Sequence, residues 1–253
     1  VEYCIIYVGN TTYGPLQPNQ CAALQTGLWG NPSGLEFSHN TVYVNGPENI
    51  PGYVGNADGV FINPGTNTSG EPELTITDNT FIGNIWHGVY VDSATYVVIA
   101  DNTFDVATIP ANANDSSIKV LNRGAYGVGQ KDIIIFGNVD SGSAVGIRLM
   151  NDSAPGTSQG CIFVAWNTIA DNEIGILVGA GVTASIYNNA ISGNNVGVQW
   201  ESDAPSYFHC NNIEGNAAFG VNNTSGVLLD ANLNWWGDAS GPSGGVAPYD
   251  YTG

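Results

Sequence analysis

A 22-residue repeat is the feature of this sequence that most restricts its fold. Ile169, Ile191 and Ile213 are separated by 22 and 22 residues, and each follows an asparagine by two positions. A second asparagine comes three residues after each isoleucine, and a glycine with an apolar residue follows it. A fixed period of this length indicates a solenoid, in which each repeat is one structural unit stacked on its neighbours.

Further copies of the pattern occur elsewhere in the chain. The same phrase begins at Asn79, looser copies begin at Asn102 and Asn138, an early copy begins at Asn40, and a last copy lies at Asn232-Leu233. With the three regular copies they make about eight repeats, which we assign to residues 38–242. The long intervals between some copies predict loops that are inserted at one corner of the repeat.

Short β-branched runs bounded by Asn and Gly lie between the copies and have the character of strands. The runs are Leu74–Thr77, Val97–Ala100, Ile133–Phe136, Ile162–Ala165, Ala184–Tyr187 and Gly226–Leu229. We predict an all-β fold, a right-handed single-stranded parallel β-helix of about eight coils, with asparagines in the turns. An antiparallel sandwich or barrel would explain the short strands, but not a register that includes turn residues.

The N-terminal 37 residues are predicted to be a separate strand and cap. The segment Cys21–Leu28 is expected to be a short capping helix, with Asn19 as its N-cap. The strand signal before it lies outside the repeat register, and we expect it to pair with the first coil or with a neighbouring subunit. The residues of this assembly strand are Tyr3, Ile5, Ile6, Tyr7 and Val8.

The C-terminal end of the repeat region is predicted to be closed by two indoles. Trp235 and Trp236 lie in a segment, Asn234–Pro242, whose glycines and proline turn the chain away from the repeat. Residues 243–253 are assigned to a tail.

The repeat and the phrase Asn-Trp-Trp-Gly-Asp-Ala-Ser-Gly-Pro at Asn234–Pro242 resemble a known group of proteins. The sequence is similar to parallel β-helix repeat proteins of the pectate-lyase-like superfamily, and in particular to NosD-like secreted surface proteins of archaea and bacteria. The resemblance covers residues 38–242. It implies the fold but not a function, because the fold carries lyases, hydrolases, epimerases, adhesins and structural subunits.

The charge excludes some partners. Four Lys and Arg residues stand against 22 Asp and Glu residues, which gives a net charge of −18. Nucleic acid is not expected as a partner, because phosphate binding needs clustered cations. No apolar run reaches about 18 residues, so membrane insertion is not expected either. The composition and the start at Val1, without an initiator Met, favour a processed protein of the cell surface or extracellular space.

The cysteines and the sequons give further expectations for an exported protein. We expect a Cys4–Cys21 disulfide, because these two residues lie in one terminal segment, whereas Cys161 and Cys210 are less clearly a pair. Glycosylation acceptors of the Asn-x-Ser/Thr type occur at Asn10, Asn67, Asn114, Asn151 and Asn223, the last overlapping with one at Asn222.

Enzymatic signatures are missing from the sequence. Arg148 is one cation in a strand without an obvious companion, and Asp140 and Asp152 lie only in adjoining segments. The phrases that polygalacturonase-like hydrolases share are absent, and Trp86-His87-Gly88 matches only a fragment of one. No catalytic residue is therefore assigned.

Metal ligands are also hard to assign. His39, His87 and His209 are far apart, which argues against zinc, and each is expected to be an exposed or hydrogen-bonded coil residue. No cofactor is predicted, although structural calcium stays open. Its oxygen-rich candidates are Asn114–Ser117, Asn151–Ser153, Glu201–Asp203, and Asp238 with Asp250.

Three functions are consistent with these observations. The first is a non-enzymatic structural subunit of a cell-surface layer, sheath or filament, which associates with copies of itself and carries glycans. The second is a glycan-binding adhesin, and the third is a polysaccharide lyase or hydrolase with an unfamiliar site.

Overall fold

The structure is a computed structural model that describes ten stretches of the chain. They are residues 1–9, 21–25, 34–45, 57–62, 74–84, 86–94, 96–106, 115–123, 132–152 and 160–242. These residues form 23 strands, and every strand pairs in parallel with the strand one coil before or after it. The predicted right-handed parallel β-helix of about eight coils is confirmed.

The first sheet contains eight strands, one from each coil. Its strands are β1 (Ile5–Gly9), β4 (Thr41–Asn45), β7 (Thr80–Asn84), β10 (Thr103–Val106), β13 (Val139–Ser141), β16 (Thr168–Ala170), β19 (Ala190–Ser192) and β22 (Asn212–Glu214). The repeat anchors lie on these strands, and Ile169, Ile191 and Ile213 are register partners. All three side chains are buried, as the repeat predicts.

The second sheet also has eight strands. They are β2 (Cys21–Gln25), β5 (Ala57–Ile62), β8 (His87–Asp92), β11 (Ser116–Asn122), β14 (Val145–Asn151), β17 (Ile174–Val178), β20 (Val196–Trp200) and β23 (Phe219–Asn223). Val60, Val89, Ile118, Ile147 and Ile176 form one buried column that faces the core. The residue after each of them points away from the core and belongs to the outer face of this sheet.

The third sheet has seven strands. They are β3 (Leu35–Ser38), β6 (Leu74–Thr77), β9 (Val97–Ala100), β12 (Ile133–Phe136), β15 (Ile162–Ala165), β18 (Ala184–Tyr187) and β21 (Tyr207–His209). Five of the six runs that the sequence predicts as strands lie in this sheet. The sixth prediction, Gly226–Leu229, is wrong: Gly226 has a φ of 78°, and the Ser225 hydroxyl accepts a turn hydrogen bond from the Val227 N–H.

An asparagine ladder connects the coils at the turn before the first sheet. Its members are Asn40, Asn79, Asn102, Asn138, Asn167, Asn189, Asn211 and Asn234. The Oδ1 of Asn189, for example, accepts hydrogen bonds from the backbone N–H (3.0 Å) and the Nδ2 (2.9 Å) of Asn167. The last member is Asn234 rather than the predicted Asn232, because only Asn234 accepts the bonds from Asn211.

The N-terminal strand belongs to the first coil, so the prediction that it stands outside the repeat register is wrong. Ile5 is paired with Thr41, and the Cys4 N–H donates to Asn40 Oδ1 at 3.0 Å. Cys4 therefore occupies the position that asparagine has in later coils. Tyr3, the residue before it, has a φ of 54°, like the residues that precede the ladder asparagines.

The predicted capping helix is also wrong over the described residues. Residues 21–25 form β2, which pairs with β5 from Cys21 to Gln25, whereas Asn19 and residues 26–28 lie outside the described part. The run Cys-Ala-Ala-Leu-Gln has helical propensity, but the coil places it at the edge of a sheet, and this context overrides the propensity. The sheets thus begin well before the predicted boundary at residue 38.

The C-terminal end of the column is covered by the segment after β23. Leu229, Ala231 and Trp236 pack against the core, and Trp236 comes within 3.7 Å of the Cβ position of Gly220. Trp235 forms a bridge to Asn212, but 48% of its surface is exposed. Trp236 is therefore the indole that closes this end, and the assigned tail, residues 243–253, lies outside the described part.

Candidate functional site

Three of the four cationic residues of the chain lie on the outer face of the second sheet. Lys119 is on β11, Arg148 is on β14, and Arg123 follows the end of β11. Lys131, the fourth, lies outside the described residues. In a chain with a net charge of −18, this concentration on one face marks it as the first candidate for a site.

We call five outer residues of the second sheet the charged face. They are Asp58, His87, Tyr90, Lys119 and Arg148. They form two columns across successive coils: Asp58 is paired with His87, and Tyr90 is paired with Lys119, which is paired with Arg148. Parallel strands place such partners about 4.8 Å apart, so the columns bring together residues that are far apart in sequence.

Asp58 and His87 form a buried pair without a good hydrogen bond. The Nδ1 of His87 lies 3.8 Å from Oδ1 of Asp58, and the two side chains are 2% and 1% exposed. Among the residues that the structure describes, neither carboxylate oxygen of Asp58 nor the Nδ1 of His87 has a hydrogen-bond partner. Buried polar atoms in native proteins nearly always have one, so this pair calls for an explanation.

The burial changes the titration of both groups. Burial raises the pKa of Asp58 to about 7, although nearby Lys119 opposes the shift. Burial also holds the pKa of His87 well below its usual value, and the charges of Lys119 and Arg148 add to this effect. His87 is therefore a neutral imidazole at pH 7, and shifts of this kind concentrate at functional sites.

Lys119 is held between an aromatic ring and a second cation. Its Nζ lies 4.9 Å from the centre of the Tyr90 ring, in a cation–π contact. Burial lowers the pKa of Lys119, and the guanidinium of Arg148 lowers it further. Arg148 itself is only 8% exposed. Burial lowers the pKa of Arg148, whereas nearby Asp115 and Glu201 raise it, so the second cation has acidic side chains beside it.

Tyr90 is fixed from its other side by Arg123. The Nη2 of Arg123 donates to the Tyr90 hydroxyl at 2.8 Å, and its Nε lies 3.4 Å from Oδ2 of Asp92. Burial raises the pKa of Tyr90 to about 12, so the phenol stays protonated near neutral pH. Arg123 therefore has its own acidic partner, Asp92.

This grouping is not evident from the sequence. Arg148 has a cationic companion, Lys119, so the prediction that Arg148 is a single cation is wrong. His87 is buried rather than an exposed coil residue, whereas His39 and His209 lie near Asp78 and Asp230. Asp140 is not part of this face: it lies inside the column, in register with Ile169, and accepts a hydrogen bond from Asn172.

A signal for the charged face was present in the repeat itself. Its second column consists of the residues two positions after the glycine of each Gly-(apolar) pair, as in Gly88 and Tyr90 or Gly146 and Arg148. Ser117 replaces the glycine in the coil of Lys119. Because of that substitution and of inserted segments of unequal length, the column cannot be recognised from the repeat spacing alone.

The side chains of the predicted assembly strand alternate between exposed and buried positions, as expected for a β-strand with one face on the core. Tyr3, Ile5 and Tyr7 are 76%, 67% and 74% exposed, whereas Val8 is buried and Ile6 packs against the core. β1 is the terminal strand of the first sheet and pairs only with β4 among the described strands. We call β1, with the exposed side chains of Tyr3, Ile5 and Tyr7, the N-terminal edge.

The predicted disulfide is not supported. Cys4 has a free thiol whose Sγ lies 3.3 Å from the carbonyl oxygen of Glu2. Cys161 and Cys210 are also free, and Cys161 Sγ lies 3.6 Å from the hydroxyl of Ser185. Cys4 directly precedes β1 in the first sheet, whereas Cys21 begins β2 in the second sheet. The two residues therefore lie in different parts of the first coil, which their spacing in the sequence does not show.

The predicted glycosylation acceptors fall partly within the described residues. Asn151 ends β14 and donates to the carbonyl of Gly181, and Asn223 ends β23 and donates to the carbonyl of Val227. Asn10, Asn67 and Asn114 lie outside the described part. Glycosylation stays a prediction at all of these positions.

No metal site is formed by the residues that the structure describes. Among them, no group of three or more His, Cys, Asp or Glu side chains could hold a metal ion. Residues 115–117, 151–152, 201–203 and Asp238 from the calcium candidates are part of this set, whereas Asn114, Ser153 and Asp250 are not. The described stretches also contain no helix that is long and apolar enough to cross a membrane.

A comparison with protein families supports the resemblance that the repeat suggests. Residues 110–232 match the NosD family. Its description is "Periplasmic copper-binding protein (NosD)", and the matched residues make up just under half of the chain. The match covers the second half of the charged face and the regular part of the asparagine ladder.

The described residues do not fit a copper site. Copper in proteins is held by imidazole, thiolate or thioether groups that converge on one point. Here each histidine lies beside a different aspartate, and the described stretches hold no group of metal-ligating side chains. The family description therefore does not extend to a copper centre in this part of the chain.

Comparisons with individual proteins are less informative. A search of curated protein sequences found no significant match. Among solved structures, the chain is similar to the A-module of mannuronan C-5 epimerase AlgE6 from Azotobacter vinelandii, with 13% identity and a TM-score of 0.23. The match covers 82% of this chain and 74% of that chain. A TM-score this low supports no conclusion about function.

Proposed function

We propose that the protein is an exported, non-enzymatic structural β-helix that associates with copies of itself through the N-terminal edge. In this proposal it is a subunit of a cell-surface layer, sheath or filament. The observation that carries the proposal is the exposed apolar strand at one end of the first sheet. The NosD match, whose family description is periplasmic, supports a place outside the cytoplasm.

The N-terminal edge has the features of a pairing surface. β1 is five residues long and in regular register with β4, and no strand of the described residues pairs with its other side. Proteins usually protect such edges with charges, proline or bulges. Here the strand instead exposes Ile5 and Tyr7, and Tyr7 is stacked on Tyr43 at 5.1 Å between ring centres.

The two ends of the column differ, and this difference supports a defined mode of association. The C-terminal end is covered by Leu229, Ala231 and Trp236. A second copy would therefore join more readily at the N-terminal edge than at the other end. Pairing of two β1 strands is isologous and closes into a dimer, so a layer or filament would require a second contact.

Sedimentation velocity and negative-stain electron microscopy of the purified protein test the proposal. The wild type should form dimers or larger assemblies at micromolar concentration, whereas Ile5→Lys combined with Tyr7→Lys should be monomeric, because charges at an edge oppose pairing. Tyr207→Lys is a matched control, since Tyr207 is 67% exposed on β21 in another sheet. A wild type that is monomeric at every concentration would refute the proposal.

A further inference from the structure

We propose that the β-helix opens locally at the coil of Asp140 when this buried carboxyl group loses its proton, and that acidic pH holds the same coil closed. Asp140 lies inside the column, so the inference depends neither on self-association nor on the charged face. Two structural features carry it: an acidic residue in an apolar stack, and a serine in a line of glycines.

The first feature is the position of Asp140 on β13 of the first sheet. It belongs to a stack of inward residues in which every other coil supplies an apolar side chain, and 2% of its own surface is exposed. In the order of the coils, the stack consists of Ile6, Val42, Phe81, Phe104, Asp140, Ile169, Ile191 and Ile213. The acid therefore interrupts the apolar contact between the coils before and after it.

The second feature shows how a polar side chain is accommodated there. From β5 to β23, each strand of the second sheet has glycine at the position that Gly88 has in β8, except β11, which has Ser117. A Cβ atom at Gly88 would lie 2.6 Å from the ring of Phe104, so a large inward residue requires glycine opposite it. Ser117 instead lies beside Asp140. A serine and an acid thus replace a glycine and an apolar residue together.

The carboxyl group of Asp140 is only partly satisfied. Its Oδ2 accepts a hydrogen bond from the Nδ2 of Asn172 at 2.7 Å. Within the described part of the chain, its Oδ1 and the Ser117 hydroxyl have no hydrogen bond of good geometry, and no Lys, Arg or His side chain forms an ion pair with it. A buried carboxylate without a counter-ion costs far more than a buried carboxylic acid, because the proton removes the charge.

The elements around Asp140 supply no compensating charge. The residues that face it from β10, β11, β14, β16 and the turn after β16 are Phe104, Ser117, Gly146, Ile169 and Asn172, and none of them titrates. Burial raises the pKa of Asp140 to about 7, although Ser117 and Asn172 oppose the shift. The charged residues of the same elements do not shift this pKa; they are Asp105, Asp115, Lys119, Arg148, Asp171 and Glu173.

The direction of the pH effect follows from this burial. In an opened coil the carboxyl group of Asp140 lies in water and has a pKa of about 4, so opening releases a proton between about pH 4 and pH 7. Opening should therefore become about tenfold more frequent with each pH unit in this range and level off above about pH 7. The coils of a solenoid contact only their neighbours, so the effect should be local.

Hydrogen exchange of the full chain, followed by NMR and corrected for the intrinsic rate at each pH, measures this opening. Between pH 5 and pH 7, the protection of the Val139–Ser141 amides should fall at least tenfold more than that of the Ala190–Ser192 amides in a regular coil. In Asp140→Asn this difference should be less than threefold, because the amide still accepts a hydrogen bond from Asn172 but cannot ionise. A wild type without the difference, or a folded Asp140→Asn that keeps it, would overturn the proposal.

A double variant tests the same point if Asp140→Asn does not fold. Ser117→Gly combined with Asp140→Ile restores the pair that Gly146 and Ile169 form one coil later, and it should also lack the pH-dependent difference. Asp105→Asn is the control, since Asp105 is an exposed acid on the adjacent β10, and it should keep the wild-type difference. Loss of the difference in Asp105→Asn would assign the effect to a surface charge and contradict the role of Asp140.

Discussion

The asparagine ladder and the charged face bury polar groups in the same solenoid, but they satisfy them differently. In the ladder, the amide groups of Asn167 and Asn189 donate to backbone carbonyls and to the following asparagine, and their Oδ1 atoms accept from the preceding one. On the charged face, the carboxylate of Asp58 and the Nδ1 of His87 are equally buried and have no hydrogen-bond partner within the described part of the chain. Satisfied groups of this kind specify and stabilise a fold, whereas unsatisfied ones destabilise it and point to another purpose.

The position in the repeat explains the contrast. The ladder occupies a turn where every coil supplies the same residue type, so each asparagine finds an identical neighbour one coil away. The charged face occupies outer positions where successive coils differ. Its members share a column without sharing a hydrogen-bonding pattern, so the solenoid alone cannot satisfy them.

The largest effect should come from breaking the ladder with Asn189→Ala. The change removes the acceptor of the Asn167 N–H and the donor to the carbonyls of Val164 and Tyr187, all within the column. We expect a loss of about 3–5 kcal/mol in the free energy of unfolding, because several buried groups lose a partner at about 1–3 kcal/mol each. Denaturant unfolding followed by circular dichroism measures it.

Asn195→Ala is the control for that variant. Asn195 is exposed and its Nδ2 donates to Glu173, so its removal should change stability by less than about 0.5 kcal/mol. Equal losses in the two variants would show that the ladder contributes no more than an ordinary surface bond.

On the charged face we expect a substitution to increase the free energy of unfolding rather than decrease it. Asp58→Asn should stabilise the protein at high pH. Burial raises the folded pKa of Asp58 to about 7, above its value in the unfolded chain. The folded state therefore holds a proton that the unfolded state loses above about pH 4, and wild-type stability falls as the pH rises from about 4 to 7. The variant should gain about 1–3 kcal/mol at pH 8 and almost nothing at pH 4.

Thermal unfolding of both proteins at pH 4 and pH 8 measures this difference. Asp101→Asn serves as the control, since Asp101 is exposed at a turn with a φ of 55°, which asparagine tolerates. A variant at position 58 that is less stable than the wild type at pH 8 would show that the carboxylate of Asp58 has a stabilising partner.

The smallest effect should come from extending the ladder by one coil with Cys4→Asn. The Cys4 N–H already donates to Asn40 Oδ1, and Cys4 Sγ already lies near the carbonyl of Glu2. An asparagine amide could replace the weak thiol contact and add a second bond to Asn40. We expect a gain of about 0.5–1 kcal/mol, against no gain for Cys4→Ala, by the same unfolding measurement. A loss in Cys4→Asn would contradict the equivalence of position 4 with the ladder.

Much of the fold could be predicted from particular residues. Ile169, Ile191 and Ile213 share one buried column, as their spacing indicates, and the asparagines two positions before them form the ladder. The N-terminal errors have one cause: Cys21–Gln25 has helical propensity and Tyr3–Val8 lacks the repeat spacing, whereas stacking against β5 and β4 decides their place in the fold. Local signals are weak wherever a neighbouring coil supplies the hydrogen bonds.

The sequence by itself therefore determined the repeat, the strand character, the inward anchors and the turn asparagines, because these depend on a pattern that returns in each coil. Only the tertiary structure decided that Asp58, His87, Lys119 and Arg148 share one face, and that Cys4 stands in an asparagine position. The physical reason is that parallel stacking sets neighbours at about 4.8 Å regardless of the residues inserted between them. Successive ladder bonds span 39, 23, 36 and 29 residues, then 22 residues twice, and 23 residues at the last step.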